Sequence, residues 1–168
     1  MNNVHLSNAA AVPTIYHFQR KKYRPTCIKA VDDPTVYENG TIADSLELPK
    51  LAARDGCNSG NIFNVNHAVS LANDLQNNSP DQMTEANHRS WHSWTWGEAR
   101  ICIYNNYVFE NTHVKRWEVG WVTKYIYNQC CNPGGNQNCA GGDATCHGDS
   151  GLSVHAVLQN SAYGCNQL

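Results

Sequence analysis

The sequence predicts an α+β fold: a small antiparallel sheet with two helices packed on one face, the whole stapled by disulfides. Three observations carry this expectation. Two stretches place apolar residues at helical spacing, several Ile-, Val- and Tyr-rich runs read as strands, and eight cysteines are spread along 168 residues. An amphipathic helix needs an apolar surface to cover, and the strands provide one. At about 25 cal/mol per Å² of apolar burial, a small domain barely exceeds its conformational entropy cost, so the disulfides are expected to be needed.

Taken in order, residues 1–54 read as an arm or propeptide-like segment. They hold one cysteine and four of the six prolines, Pro13, Pro25, Pro34 and Pro49, around the basic cluster Arg20-Lys21-Lys22. Short apolar pieces at 12–18 and 35–37 are strand candidates, without sustained periodicity. Residues 55–168 form the predicted domain. Ile62, Val65, Val69, Ala72 and Leu75 fall at helical spacing, with Asn61 as the expected N-cap and Ser79-Pro80 beyond the end. Residues 79–90 read as a polar loop leading into Trp91-His92-Ser93-Trp94-Thr95-Trp96. Residues 100–104 and 107–110 are the expected arms of a hairpin turning at Asn105-Asn106.

A second helix is expected from about His113, capped by Thr112 or Asn111. Its stripe of Val114, Trp117, Trp121, Val122, Tyr125 and Ile126 would face the core. Cys130-Cys131 ends it. Residues 132–151 read as a Gly- and Asn-rich loop, and residues 152–158 as a closing strand.

The cysteines, Cys27, Cys57, Cys102, Cys130, Cys131, Cys139, Cys146 and Cys165, contain no C-x-x-C pair, which counts against a zinc knuckle or a redox dithiol. Disulfides formed in an oxidising compartment are the expectation for all eight, and secretion follows. Adjacent Cys130 and Cys131 should reach different partners, since bonding to each other would strain the peptide between them. Cys27 is then expected to bond to a core cysteine and hold the arm in place. Two sequons, at Asn39 and Asn77, suit a secreted chain, although Pro80 weakens the second. No basic and apolar leader follows Met1; the expectation is a leader already removed and the Met added.

Composition narrows the function classes. Hydrophobic residues make up 41% and charged residues 15%, too apolar for a disordered chain. A formal charge of -2 offers no field to hold a phosphate backbone, so nucleic acid is not an expected partner. No apolar run approaches the roughly 20 residues that span a bilayer.

Two motifs invite a chemical reading. Cys146-His147-Gly148-Asp149-Ser150-Gly151 resembles the nucleophile segment of trypsin-like serine proteases, and it suggests a small secreted hydrolase using Ser150 with His147 or His155. Against this, no Ala-Ala-His-Cys segment supplies a base, and only eighteen residues follow Ser150. A glycine-rich turn before a strand gives the same letters without chemistry. His88 and His92 are four apart, as zinc ligands are on a helix, but lack the glutamate of H-E-x-x-H. Trp91, Trp94 and Trp96 suggest an aromatic patch for sugar rings or a partner; alternatively Trp94 and Trp96, two apart on a strand, enter the core. No catalytic residue, cofactor or metal site is assigned.

Residues 57–158 resemble the α/β-sandwich killer toxins of fungi (killer protein four) and related secreted fungal effectors. The likeness runs through residues 55–60 (Asp-Gly-Cys-Asn-Ser-Gly) leading into a helix and residues 97–106 (Gly-Glu-Ala-Arg-Ile-Cys-Ile-Tyr-Asn-Asn) as strand and turn. It continues through Tyr107-Val108-Phe109 as the returning strand, the helix ending at Cys130-Cys131, and the closing strand from Gly151-Leu152 to Val157. The resemblance implies a non-enzymatic toxin or effector, antifungal or host-directed, that binds a cell-surface protein or cell-wall glycan of a target cell. For the best-known members it implies interference with calcium uptake through a basic side chain on an exposed loop. Arg89, Arg100, Lys115 and Lys124 are the candidates for that side chain. Arg89 and Trp91 are the expected target-binding residues, and a carbohydrate-binding wall protein using the tryptophans is the further alternative.

Overall fold

Strand alternation in the second half of the chain sets the architecture. In Ala99–Asn105, Ile101 and Ile103 lie on one face while Arg100, Cys102 and Tyr104 lie on the other, and the neighbouring strands repeat this division. A computed structural model describes residues 35–42, 56–131 and 137–166. The elements in chain order are β1 (Val36–Thr41), β2 (Gly56–Cys57), β3 (Phe63–Asn64), α1 (Val65–Asn77), β4 (Met83–Ala86), β5 (Ser90–Trp96) and β6 (Ala99–Asn105). They continue with β7 (Thr112–Lys115), α2 (Arg116–Cys130), β8 (Asn138–Cys139), β9 (Gly142–His147) and β10 (Ser153–Asn160).

Six strands make an antiparallel sheet in the order β1-β5-β6-β10-β9-β2, and the pairs β3-β8 and β4-β7 stand apart. The fold is therefore α+β, as the sequence predicts. Both helices cover one face. Trp94, Ile101, Ile103, Val154, Ala156 and Leu158 of the sheet meet Leu71, Leu75, Val119, Val122 and Ile126 of the helices in a single core. The two helices also touch each other closely. A Cβ on Gly120 would stand 2.9 Å from the Ala72 carbonyl oxygen and 3.0 Å from the Leu75 Cβ, so a side chain there would push α2 off α1. At the near end, the Arg116 guanidinium pairs with the Asp74 carboxylate and its Nε donates to the Asn78 carbonyl, 2.8 Å away.

β1 lies within the segment expected to be an arm, and it is an edge strand hydrogen-bonded along β5, Val36 opposite Thr95 through Thr41 opposite Ser90. The compact unit holding all the described residues begins at Asp33. The 12–18 strand candidate, the Arg20-Lys21-Lys22 cluster and Cys27 with its expected bond lie outside the described residues.

Several local expectations are corrected. The N-cap of α1 is Asn64, whose side chain accepts from the Asn66 N–H at 3.0 Å, not Asn61; Ile62 is exposed ahead of the helix. The loop 79–90 contains β4, which pairs with β7, so Thr112 and His113 belong to a strand. α2 starts three residues later than expected, from Lys115, without a side-chain cap. The hairpin is β5-β6, turning at Gly97-Glu98 with Gly97 at φ 54, rather than at Asn105-Asn106. Asn105 is buried instead, its amide donating to the Ala86 and Glu110 carbonyls, and residues 107–110 form no strand. The expected loop at 132–151 holds β8 and β9.

The largest correction concerns α2. Trp117 and Trp121 are 42% and 41% exposed, while Val119, Gly120, Val122, Thr123, Ile126 and Tyr127 are buried. At about 100° per residue these two sets lie on opposite sides of the helix. Packing of small and β-branched residues against α1 and the sheet wins over the bulkier aromatics.

Three disulfides are formed among the described residues: Cys57–Cys130 ties β2 to the end of α2, Cys131–Cys139 ties the helix cap to β8, and Cys102–Cys165 ties β6 to the C-terminal turn. Cys130 and Cys131 thus reach different partners. Cys146, expected in a disulfide, has no disulfide partner among the described residues, and Cys27, the one remaining cysteine, lies outside them. Cys146 sits fully buried in the core. Burial, with the Glu118 charge second, pushes the thiol up to about 12.

Ile126→Ala should cost about 2–5 kcal/mol through the cavity it leaves. Trp117→Ala and Trp121→Ala should stay within about 1 kcal/mol of the parent. Urea unfolding of the three variants decides the matter; an equal loss in all three would contradict the burial pattern.

A second prediction comes from His92, buried where β1 meets β5. The Tyr37 hydroxyl lies 2.7 Å from its Nδ1 and the Ser90 hydroxyl 3.3 Å from its Nε2, while Ser90 donates to the Asn87 carbonyl at 2.6 Å. That chain assigns the proton to Nε2 of a neutral ring. Burial lowers the His92 pKa below 6.5. Below pH 6.5 the unfolded chain therefore takes up a proton that the folded one resists, and stability falls as the pH drops. The Tm should decline from pH 7 to pH 5, and less steeply in His92→Gln.

Candidate functional site

The segment resembling a protease nucleophile forms the β9-β10 connection, and its polar groups are used to dock that turn onto β7. His113 N–H donates to Asp149 Oδ1 at 2.9 Å, and Asp149 N–H returns a bond to the His113 carbonyl, also at 2.9 Å. His113 Nδ1 stands 3.3 Å from Asp149 Oδ2. The His113 amide, followed by its imidazole, holds the Asp149 carboxyl below its ordinary range. Ser150 Oγ donates to Thr112 Oγ1 at 2.6 Å, so its proton is directed at another hydroxyl and not at a base. His147 is exposed at the end of β9, and His155 is held by Asp143, Nε2 to Oδ2 3.3 Å, on the face of the sheet away from the helices. Among the described residues no histidine is hydrogen-bonded to Ser150.

The two-histidine idea dissolves in the same way. His88 lies in the turn before β5 and bonds Asn111, whereas His92 is buried in β5. No group of three His, Cys, Asp or Glu side chains among the described residues is placed to hold a metal ion.

The three tryptophans of β5 do not form one patch, because a strand sends alternate side chains to opposite faces. Trp94 is buried beneath the helices and Trp96 packs against the same core. Trp91 lies on the other face, with Tyr104, Val157, Ile42 and the Cys102–Cys165 disulfide. Its indole crosses the edge strand at Gly40, where any Cβ would meet the ring at 2.6 Å. Packing accounts for most of its surface. Arg89 occupies the turn between β4 and β5 at φ 50, its backbone bonded to Tyr107 and Ile42. Arg100 is engaged by Glu38 of β1 and Lys115 by Asp81.

The residues that sequence reasoning misplaced on α2 make an exposed aromatic surface. Trp117 and Trp121 stand one turn apart on the outer side of α2, and the Trp121 ring stacks, centroids 5.7 Å apart, on Tyr125, which is itself partly buried against the core. Lys124 is exposed on the same side of the helix. Scattered apolar side chains on a surface are ordinary, but a continuous aromatic row is characteristic of contact surfaces. A signal was present in the sequence. Val119, Val122, Ile126 and the small Gly120 and Thr123 define a second, opposite arc of the helix, and only one of the two arcs can face the sheet. No described helix is long and apolar enough to cross a membrane. The chain matches no family model, no curated protein and no solved structure, so the likeness to the fungal killer toxins rests on the sequence motifs alone.

Proposed function

We propose that the chain is a secreted toxin or effector of the killer-toxin-like kind that acts by binding a surface component of a target cell, without catalysis. The observation that carries this reading is the aromatic row of α2. Two tryptophans left about two-fifths exposed beside a stacked tyrosine are a cost in water that contact with a partner would remove. Three disulfides in a domain of this size support an oxidising destination. The engagement of Ser150 by Thr112 and of His155 by Asp143 supports a binding function over hydrolysis. Among the basic side chains, Lys124 lies on the aromatic side of α2 and Arg89 in the β4-β5 turn. Arg100 and Lys115 are occupied by carboxylates.

Trp121→Ala and Trp117→Ala should each weaken binding to susceptible cells by tenfold or more while remaining folded, since truncating a central interface tryptophan costs about 2 kcal/mol or more. Fluorescently labelled protein on whole cells measures this; full binding by the double variant would refute the reading. Ser150→Ala should retain biological activity, and the parent should not react with a serine-directed phosphonate. Loss of activity in a folded Ser150→Ala protein would revive the hydrolase.

A further inference from the structure

A groove of about 310 Å³ opens where the chain before α1, the end of β10 and the C-terminal turn come together. Its walls carry Asn58, Ser59, Asn61, Gln159, Asn160 and Tyr163, with Gly60 and Ala140 completing the lining and no charged side chain among these residues. We propose that this groove is a binding site for a neutral saccharide, of one or two rings by its volume.

The chemistry of the walls selects the ligand class. A carboxamide offers a planar donor and acceptor side by side, and a sugar hydroxyl both donates and accepts, so amides can serve neighbouring hydroxyls in pairs. Four carboxamides and two hydroxyls line this one groove. A phosphate or a uronic acid would find no charged side chain among the lining residues, since Arg100, which donates to the Tyr163 carbonyl at 3.4 Å, is already paired with Glu38. A purely apolar ligand would strand the Asn58 amide and the Gln159 and Asn61 side-chain oxygens. Tyr163, 36% exposed, adds the apolar ring on which the C–H face of a pyranose can rest.

The walls are also held in position before any ligand arrives. Gln159 Nε2 donates to the Tyr163 carbonyl at 3.1 Å, Asn160 Nδ2 donates to the Ile62 carbonyl at 2.8 Å, and the Asn61 amide donates to the Tyr163 hydroxyl. Asn160 Oδ1 accepts from the Ala162 N–H at 2.8 Å. The Cys102–Cys165 disulfide anchors the turn two residues beyond Tyr163. Such fixing lowers the ordering cost of binding. The side chains of Asn58 and Ser59 make no hydrogen bond among the described residues, and Gln159 Oε1 and Asn61 Oδ1 accept none, leaving acceptors and donors of both kinds for a ligand. None of these residues lies on α2, so the site goes beyond the surface proposed above and stands apart from it.

The test is a titration of the isotope-labelled full chain, followed by amide NMR shifts. The probes are the trimers of β-1,4-N-acetylglucosamine, β-1,3-glucose and α-1,6-mannose, with a galacturonic acid trimer and triglycine as contrasts. At least one neutral trimer should give saturable shifts at residues 58–61 and 159–163. Gln159→Ala and Tyr163→Ala should weaken it about five- to tenfold, the range expected for one lost polar contact. A Cβ at Gly60 meets nothing within 4 Å, so Gly60→Trp should fill the groove without disturbing the fold, and should abolish binding. Trp121→Ala should bind the sugar as the parent does. The proposal is overturned if no neutral trimer saturates these residues, if the acidic trimer or triglycine binds there equally well, or if folded Gly60→Trp binds unchanged. It is also overturned if the shifts follow the indoles of α2 instead. Cell binding by the α2 variants remains a separate readout, so either idea can fail alone.

Discussion

Gly120 lies against the backbone of α1, and the rest of the molecule is arranged around that contact. With a Cβ at this position the helices could not approach, because the Ala72 carbonyl and Leu75 side chain already fill the space. Once they touch, the rotation of α2 is fixed. Val119, Val122, Thr123 and Ile126 turn inward, Trp117 and Trp121 turn outward, and Tyr125 lies between, partly buried against the core. Interiors are packed near crystal density, so a close contact between helices excludes the alternative rotation in which the indoles would go inside.

The sheet beneath is built for one helical cover. Its inner face supplies Ile101, Ile103, Val154, Ala156 and Leu158 to the core. Its outer face is covered in part by a smaller cluster, where Trp91 and Ile42 pack against Tyr104, Val157 and the Cys102–Cys165 bridge. The disulfides secure short elements. One secures the two-residue β2, one the two-residue β8, and one the C-terminal turn. Closing long loops removes conformational freedom from the unfolded chain, which matters most in a domain with modest burial.

The polar network around residues 112–113 and 149–150 shows how a familiar string of letters serves a structural end. A turn between two strands must satisfy its own amides and also be held against its neighbour. Asp149 does both, through reciprocal bonds with His113, and Ser150 extends the contact to buried Thr112. The exposed indoles of α2 and the amide-lined groove near Tyr163 are the two surfaces proposed for molecular recognition, one apolar and beside Lys124, the other neutral and polar.

By itself the sequence determined the class of fold, the presence of two helices, strands expected at 100–104 and 152–158 that the structure extends or shifts to 99–105 and 153–160, and the separate destinations of Cys130 and Cys131. These follow from periodicity and covalent geometry, which act within a few residues. Strand pairing was only partly legible. Residues 107–110 have the letters of a strand, yet β5 pairs with β6 because Gly97 supplies the positive φ that the two-residue turn takes. Asn105 is used beneath the 106–111 loop, its amide bonded to the Ala86 and Glu110 carbonyls. Only the tertiary structure decided which side of α2 faces inward, because both arcs are apolar by residue type and the choice depends on Gly120 meeting α1. It also gathered Asn58, Asn61, Gln159 and Tyr163 into one groove. Residues about a hundred positions apart converge there through sheet register and a disulfide, and neither leaves a local trace in the chain.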